Sequence, residues 1–168
     1  SSSEGIIPIK DVTIELFEDL APAHVREIKS LINGGYYNDI IFHRVVDLGD
    51  GFVAQTGDLI RAGYSITGSI SAEFSSYSYV RGTIGMARGP DPDSATTEFF
   101  ITMDDIPRLD KQYTVFGKVI NGMEFIDSIA MGNPPDSPDK IISFSMMVFK
   151  QLGTMNYSNL DDIIIATG

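Results

Sequence analysis

The chain contains no cysteine, no tryptophan and only two histidines, His24 and His43, among its 168 residues. The absence of cysteine excludes disulfides, thiolate nucleophiles and cysteine-ligated zinc sites. The two histidines lie far apart in the sequence, and neither has an evident ligand partner nearby. We therefore expect no metal site, and the residues for a catalytic triad are scarce.

Basic residues are also scarce, because 12 lysines and arginines face 23 acidic residues and give a formal charge of −11. Such a charge repels phosphate backbones, which bind to clusters of lysine and arginine. No apolar run approaches the ~18 residues that a membrane-spanning helix requires. We expect neither nucleic acid nor a membrane as a partner.

Apolar residues are plentiful at 43%, with ten Phe and seven Tyr, and they predict a single globular domain. "DVTIEL" alternates Val12, Ile14 and Leu16 with polar residues, which is typical of a half-buried strand. "PAHVREIKSLINGG" predicts a helix that begins at a proline and ends at glycines.

Short β-rich runs separated by glycine, aspartate, proline and serine extend from 40 to 119, and their spacing predicts a barrel or sandwich without βαβ alternation. "GMEFIDSIAMG" predicts a second helix, and the alternating run "IISFSMM" predicts the strand that closes the barrel. The tail at 150–168 has no counterpart in this scheme, and it can be a docked segment, a frayed terminus or an interface element.

Four groups of residues carry a resemblance to a known family: "FHRVV…GFVAQTGD", "GTIGMAR", "TEFFIT" and "YTVFGKVINGMEFID". Their order and approximate spacing are similar to those of the cyclophilins, the peptidyl-prolyl cis–trans isomerases. The resemblance covers about 11–147, and "AEFS", "DPDSAT" and "QYTVFG" look like the bacterial branch.

The resemblance implies a mainly β fold, a closed eight-stranded antiparallel β-barrel capped by two α-helices, with a substrate groove on its outside. It implies isomerisation of X-Pro bonds in peptides and unfolded proteins by a protein-folding helper, without a cofactor. We expect a monomer. We divide the chain into an N-terminal segment at 1–10 that can be disordered, a cyclophilin-like domain at 11–149 and a C-terminal extension at 150–168 of open role.

Rotation about a peptide bond must break amide resonance, against a barrier of about 18–20 kcal/mol. No bond is broken, so a fixed cationic hydrogen-bond donor beside an apolar slot is sufficient. In the cyclophilin pattern that donor is Arg44, and Gln55 touches both this arginine and the substrate backbone. The resemblance also implies a set of substrate-binding residues: Phe52, Val53, Phe100, Leu109 and Tyr113 around the proline, and Ala87 and Arg88, whose main chain pairs with the peptide.

This sequence departs from the cyclophilin pattern at several positions. "VVDLGDGF" carries about three residues more than the usual turn, and we expect 47–50 to form an outward loop that leaves the strands in register, the alternative being a displaced pocket. "LIRAGYSITGSIS" replaces a glycine-rich segment that borders the neighbouring pocket. Glu98 replaces glutamine on the face of Phe100, where it could pair with Arg44, and on that basis we predict that Glu98→Gln raises kcat/KM. The alternative is that Glu98 points to solvent or bonds a nearby turn. Arg108 replaces an aromatic residue that supports cyclosporin binding, which predicts weak cyclosporin binding.

The two histidines are expected to be structural. His43 should be hydrogen-bonded and face away from Arg44, because neighbouring residues of a strand point to opposite faces. His24 should lie at the surface of the first helix. Alternatives to an active isomerase are a low-activity proline-peptide binding or chaperone module and an interaction protein that binds through its tail. The missing cysteine and the polar start "SSSEG" favour the bacterial periplasm over the cytoplasm.

Overall fold

The structure is a computed structural model that describes residues 10–146 and 159–166. Most of the predicted N-terminal segment, at 1–9, lies outside the described residues, as do 147–158 and 167–168 of the predicted extension. The elements in chain order are β1 (Lys10–Leu16), α1 (Pro22–Asn33), β2 (Arg44–Asp47), β3 (Phe52–Thr56), β4 (Thr83–Met86), β5 (Phe99–Thr102), a 3-10 turn (Pro107–Leu109), β6 (Val115–Asn121), α2 (Met123–Asp127), β7 (Lys140–Met146) and β8 (Leu160–Ala166).

The eight strands form one antiparallel sheet in the order β2-β3-β5-β4-β6-β1-β8-β7. Its two edges meet through isolated bridges, Ile41 with Lys140 and Val45 with Gly132, so the sheet curls round on itself. The predicted antiparallel β-barrel with two helices is thereby confirmed. None of the described helices is long and apolar enough to cross a membrane.

The local patterns form the elements that they predict. Val12, Ile14 and Leu16 of β1 are all buried, as their alternation requires. Helix α1 begins at Pro22 and turns a buried stripe of Val25, Ile28, Leu31 and Ile32 toward the barrel. Helix α2 is shorter than predicted and follows Gly122, whose φ of +89° is a left-handed conformation that glycine adopts readily.

Two clusters of buried apolar side chains lie on opposite faces of the strands. Ala54, Phe99 and Ile101 belong to the main cluster inside the barrel. Val53 and Phe100, their neighbours along the same strands, belong to a second cluster with Tyr79, Ile106, Leu109 and Val115. Because successive strand residues alternate between faces, this second cluster forms on the outside of the barrel.

The tail contributes strand β8, which lies second from one edge of the sheet. β8 pairs with β1 on one side and with β7 on the other, and Leu160, Ile163 and Ile165 are buried. β7 lies at the sheet edge that bridges to Ile41, as predicted for the closing strand. The described part of the tail is therefore a docked segment, one of the three roles that the sequence leaves open.

His24 is buried, so its predicted position at the surface is wrong. Its Nδ1 lies 2.6 Å from Oε1 of Glu73, a residue in the connection between β3 and β4. The partner is distant in sequence, which explains why the helical pattern alone did not indicate it.

Candidate functional site

A groove of about 300 Å³ lies over the second cluster. The side chains that line it come from β2, β3 and β5, from the 3-10 turn and from the connections beside them: Arg44, Leu48, Val53, Gln55, Ala87, Arg88, Phe100, Arg108, Leu109 and Tyr113. All of the predicted site residues except Phe52 and Glu98 are in this set. The sequence pattern therefore located most of one continuous surface.

Phe52 does not line the groove. It lines a separate depression with Arg81, Met103 and Asp104. Phe52 and Val53 are neighbours in β3, so their side chains point to opposite faces of the strand. The structure accordingly builds the apolar slot from Val53, Phe100 and Leu109 without Phe52, against the expectation from the resemblance.

The slot is apolar and rigidly supported. Val53, Phe100 and Leu109 are almost fully buried, and the ring of Phe100 stacks on Tyr79 with centroids 5.6 Å apart. Tyr113 meets Phe100 edge to face at 5.5 Å and forms the adjoining wall. Beneath them, a Cβ on Gly85 would stand 2.7 Å from Phe100 Cζ, so this position requires glycine. The packing holds the Phe100 ring in one place.

Arg44 is the half-buried cation at the side of this slot. It begins β2 and is paired in register with Gln55 of β3. Its Nη1 donates to Gln55 Oε1 at 3.2 Å. Among the described residues, no ion pair involves Arg44. The guanidinium therefore keeps an uncompensated charge and further N–H donors beside the apolar slot.

Glu98 does not pair with Arg44, so that expectation is wrong. Its Oε1 accepts a hydrogen bond from Gln55 Nε2 at 3.1 Å and lies 2.8 Å from His43 Nε2. The amide of Gln55 stands between the carboxylate and the guanidinium. His43 is buried and bonded, as predicted for a structural histidine.

The surroundings of His43 determine which of its ring nitrogens carries the proton. Nδ1 is buried and has no hydrogen-bond partner among the residues that the structure describes. A proton on Nε2 satisfies the contact with Glu98 and leaves only a lone pair at Nδ1, whereas a proton on Nδ1 would be a buried donor without an acceptor. His43 therefore donates to Glu98 through Nε2.

His43, Asp58 and Glu98 could together hold a metal ion, because one ligand atom from each lies within 4.8 Å of the others. Asp58, however, already accepts hydrogen bonds from the backbone N–H and Nε of Arg61. A metal on His43 Nε2 would move the ring proton to Nδ1, which lacks the acceptor that metal-binding histidines usually have. The hydrogen bonds account for this cluster better than a metal ion does.

The loop at 47–50 leaves β2 and β3 in register, as expected, with Asp47 opposite Phe52. It does not fold outward, however, because Leu48 lines the groove. Asp50 also reaches the groove rim, where its carboxylate accepts from Arg108 Nε at 3.0 Å and Nη2 at 2.9 Å. The hydrogen bond from Arg108 lowers the pKa of Asp50.

Leu48 and Arg108 are groove residues that the predicted site did not include. Both belong to places where the sequence departs from the cyclophilin pattern, the insertion and the replaced aromatic position. The sequence does contain an indication that Asp50 pairs with Arg108, because the insertion adds an acidic residue and the aromatic position carries an arginine. The two departures thus form one structural feature at the groove rim.

Ala87 and Arg88 also border the groove. The backbone N–H of Ala87 donates to the carbonyl of Glu98 at 3.0 Å, so this N–H is already used within the protein. Arg88 donates to the carbonyls of Gln112 and Gly89, and its guanidinium lies 4.8 Å from the centre of the Tyr113 ring. The Arg88 side chain is thus held at the rim.

A family model described as cyclophilin type peptidyl-prolyl cis-trans isomerase/CLD matches residues 6–146. A probable peptidyl-prolyl cis-trans isomerase of Brucella suis is 45% identical over 150 residues, which cover 79% of this chain and 75% of the relative. A peptidyl-prolyl cis-trans isomerase of Acinetobacter baylyi is 37% identical over 152 residues and covers 79% and 78%. The matched range of the family model ends before β8.

Solved structures show the same fold. The crystal structure of cyclophilin AquaCyp293 from Hirschia baltica has a TM-score of 0.72 and 25% identity, covering 80% of this chain and 71% of that one. A Cryptosporidium parvum cyclophilin type peptidyl-prolyl cis-trans isomerase, crystallised in the presence of the dipeptide Ala-Pro, has a TM-score of 0.63 and 24% identity, covering 95% and 96%.

Proposed function

Because this chain belongs to the cyclophilin-type peptidyl-prolyl cis–trans isomerases, which accelerate rotation about X-Pro bonds in peptides and unfolded proteins, we propose that Arg44 is its catalytic residue. The groove beside Arg44 is the binding site for the proline. The observation that carries this proposal is the position of an unpaired guanidinium next to the apolar slot of Val53, Phe100 and Leu109. No bond is made or broken, so the reaction requires no cofactor.

The proposed mechanism follows from the electronic structure of the amide. In the twisted transition state the prolyl nitrogen loses resonance and regains a lone pair, which accepts a hydrogen bond from Arg44. The planar ground state offers no such acceptor, so this interaction lowers the barrier selectively. A preorganised donor in a partly dry site typically contributes about 2.7–4 kcal/mol, which corresponds to about 10²–10³ in rate.

The slot supplies the second part of catalysis by holding the proline ring while the preceding carbonyl rotates. Burial of the apolar ring against Val53, Phe100 and Leu109 gives binding energy without a specific polar contact. The relative crystallised with Ala-Pro supports a short proline peptide as the ligand class. Because the slot contacts the proline itself, we expect many sequences around it to be accepted.

The test is the isomerisation rate of a proline peptide with wild type, Arg44→Lys and Arg44→Ala. We expect Arg44→Ala to lower kcat/KM about 10²-fold or more, while Arg44→Lys retains part of the activity through its single charged group. Arg26→Ala is the control, because Arg26 is an exposed arginine of α1. Wild-type activity in Arg44→Ala would reject the assignment.

We also propose that cyclosporin binds weakly, since the ion pair of Arg108 and Asp50 places charged groups at the rim of the groove. Replacing Arg108 by tryptophan should increase cyclosporin affinity, because an aromatic ring can cover the apolar face of the inhibitor. Isothermal titration of wild type and Arg108→Trp measures both affinities. Nanomolar binding by wild type would contradict this proposal.

The bacterial periplasm is the proposed location and a monomer the proposed state. The absence of cysteine supports the location, since it leaves no thiol to oxidise in that compartment. Fractionation of the bacterium with an antibody against the protein tests the location. Recovery in the cytoplasm would reject it, and a dimer in size-exclusion chromatography with light scattering would reject the monomer.

A further inference from the structure

We infer that Glu98 is a positioning residue for Arg44 and acts on it through the amide of Gln55. The inference rests on the proposed catalytic role of Arg44. Glu98 does not touch the groove itself, because it is absent from the residues that line it. Its effect on catalysis would be transmitted by two successive hydrogen bonds, from Gln55 to Glu98 and from Arg44 to Gln55.

The orientation of the Gln55 side-chain amide is set by its two neighbours, Glu98 and Arg44. A glutamine amide can present either its oxygen or its NH2 group to a given neighbour. A carboxylate only accepts hydrogen bonds, so Gln55 turns Nε2 toward Glu98, at 3.1 Å. The amide oxygen is thereby directed to Arg44 Nη1, at 3.2 Å. Glu98 thus selects the one orientation in which Gln55 can hold a cation.

Two hydrogen bonds fix the position of the Glu98 carboxylate. Its Oε1 accepts from both Gln55 and His43, and the buried ring of His43 has no other hydrogen-bond partner within the described part of the chain. The three side chains come from the residue before β2, from β3 and from the residue before β5, and these strands are neighbours in the sheet. The backbone of Gln55 is held in register between Arg44 of β2 and Phe100 of β5.

The position of the Arg44 guanidinium depends on the orientation of the Gln55 amide. A long arginine side chain carries about 2 kcal/mol of rotamer entropy, and Gln55 is its one side-chain hydrogen-bond partner among the described residues. If the Gln55 amide reversed, its NH2 group would face the guanidinium, and two donors cannot bond each other. Arg44 would then leave the position at which the twisted amide needs it. Loss of Glu98 should reduce turnover more than substrate binding.

The experiment measures kcat and KM for Glu98→Ala, Gln55→Ala and the double variant with the same proline peptide. We expect Glu98→Ala to lower kcat about tenfold, the loss expected for one hydrogen bond, with KM nearly unchanged. Glu98→Gln should recover most of kcat, because its amide oxygen can accept from both Gln55 and His43. This expectation replaces the predicted gain in activity, since Glu98 does not compete for Arg44.

The double variant separates positioning from a merely structural role. If Glu98 acts through Gln55, adding Glu98→Ala to Gln55→Ala should change kcat no further. Multiplying effects would overturn the inference, as would an unchanged kcat in Glu98→Ala. Asp58→Asn is the matched control, because Asp58 lies beside Glu98 in the same cluster but bonds Arg61 instead, and it should keep wild-type kcat.

Two further measurements keep the outcomes distinct. Arg44→Ala in the same assay decides the proposed function, so wild-type turnover there rejects both claims, whereas loss there with full turnover in Glu98→Ala rejects only this inference. The NMR signal of the Arg44 side-chain N–H should shift in Glu98→Ala and not in Asp58→Asn. An unshifted signal in Glu98→Ala would overturn the positioning role.

Discussion

Glu73 shows how one side chain can connect distant parts of the chain. The residue before helix α1, Ala21, has no side chain that could cap the helix. Glu73 takes this role, since its carboxylate accepts from the backbone N–H groups of Ala23 and His24 and from the ring of His24. Burial raises the pKa of Glu73, but these hydrogen bonds outweigh burial and leave the pKa below its usual 4.5.

Replacing Glu73 by glutamine should therefore destabilise the protein in a pH-dependent way. A lowered pKa in the folded state stabilises above the unfolded value near 4.5, and this contribution disappears as pH falls through the folded value. We expect a loss of about 1–2 kcal/mol at pH 7, typical of a lost cap. Thermal unfolding at pH 7 and pH 3 measures it, with Glu27→Gln on the exposed side of α1 as control. An equal loss at both pH values would refute the assignment.

Strand β8 contains an unusual buried charge among the elements of the sheet. Asp161 is only 2% exposed, and its Oδ2 has no hydrogen-bond partner in residues 10–146 and 159–166. Burial raises the pKa of Asp161 to about 6, with Asp162 adding to the shift and Lys29 opposing it. A strand that lies between β1 and β7 thus carries a carboxyl group that is unfavourable when ionised.

Replacing Asp161 by asparagine should stabilise the protein at neutral pH. Because the folded pKa lies above the unfolded value of 3.8, stability falls as pH rises from 3.8 to about 6 and stays low above that range. The neutral amide avoids this loss, so Tm should rise by a few degrees at pH 8 and change little at pH 4. Asp136→Asn, at an exposed position, is the control. A gain at pH 4 as large as at pH 8 would contradict the explanation.

The charge of the whole molecule and the charge of its groove have opposite signs. The chain carries −11, yet Arg44, Arg88 and Arg108 line the groove, and none of the described lining residues is acidic. Asp50 compensates Arg108, whereas Arg44 and Arg88 have no ion pair among the described residues. At physiological salt, charges beyond about 8 Å are largely screened, so the nearby arginines dominate over the distant surface.

A peptide with glutamate before proline should therefore be a better substrate than one with lysine. We expect a ratio of kcat/KM of about three to ten, from roughly 1 kcal/mol of interaction near the surface. The ratio should fall in 1 M salt and in Arg88→Gln, with Arg26→Gln as the control. Equal rates for both peptides at low salt would show that the groove charge does not select substrates.

Local patterns in the sequence determined most of the secondary structure and the position of the groove. Alternation in β1, the apolar stripe of α1 and the spacing of the β-rich runs predicted elements that the structure contains. The motif around Arg44 and Gln55 located the groove as well, because register between two neighbouring strands brings such residues together. These features depend on residues close in sequence, or on a motif whose parts occur in a fixed order.

Only the tertiary structure decided which distant residues meet. The partner of Glu98, the contact of Asp50 with Arg108 and the burial of His24 against Glu73 each join segments that no sequence period relates. The position of β8 in the sheet could not be predicted for the same reason, since β8 pairs with the edge of β1, and this edge exists only after folding. Periodicity specifies the face on which a side chain lies, but long-range packing determines what that face contacts.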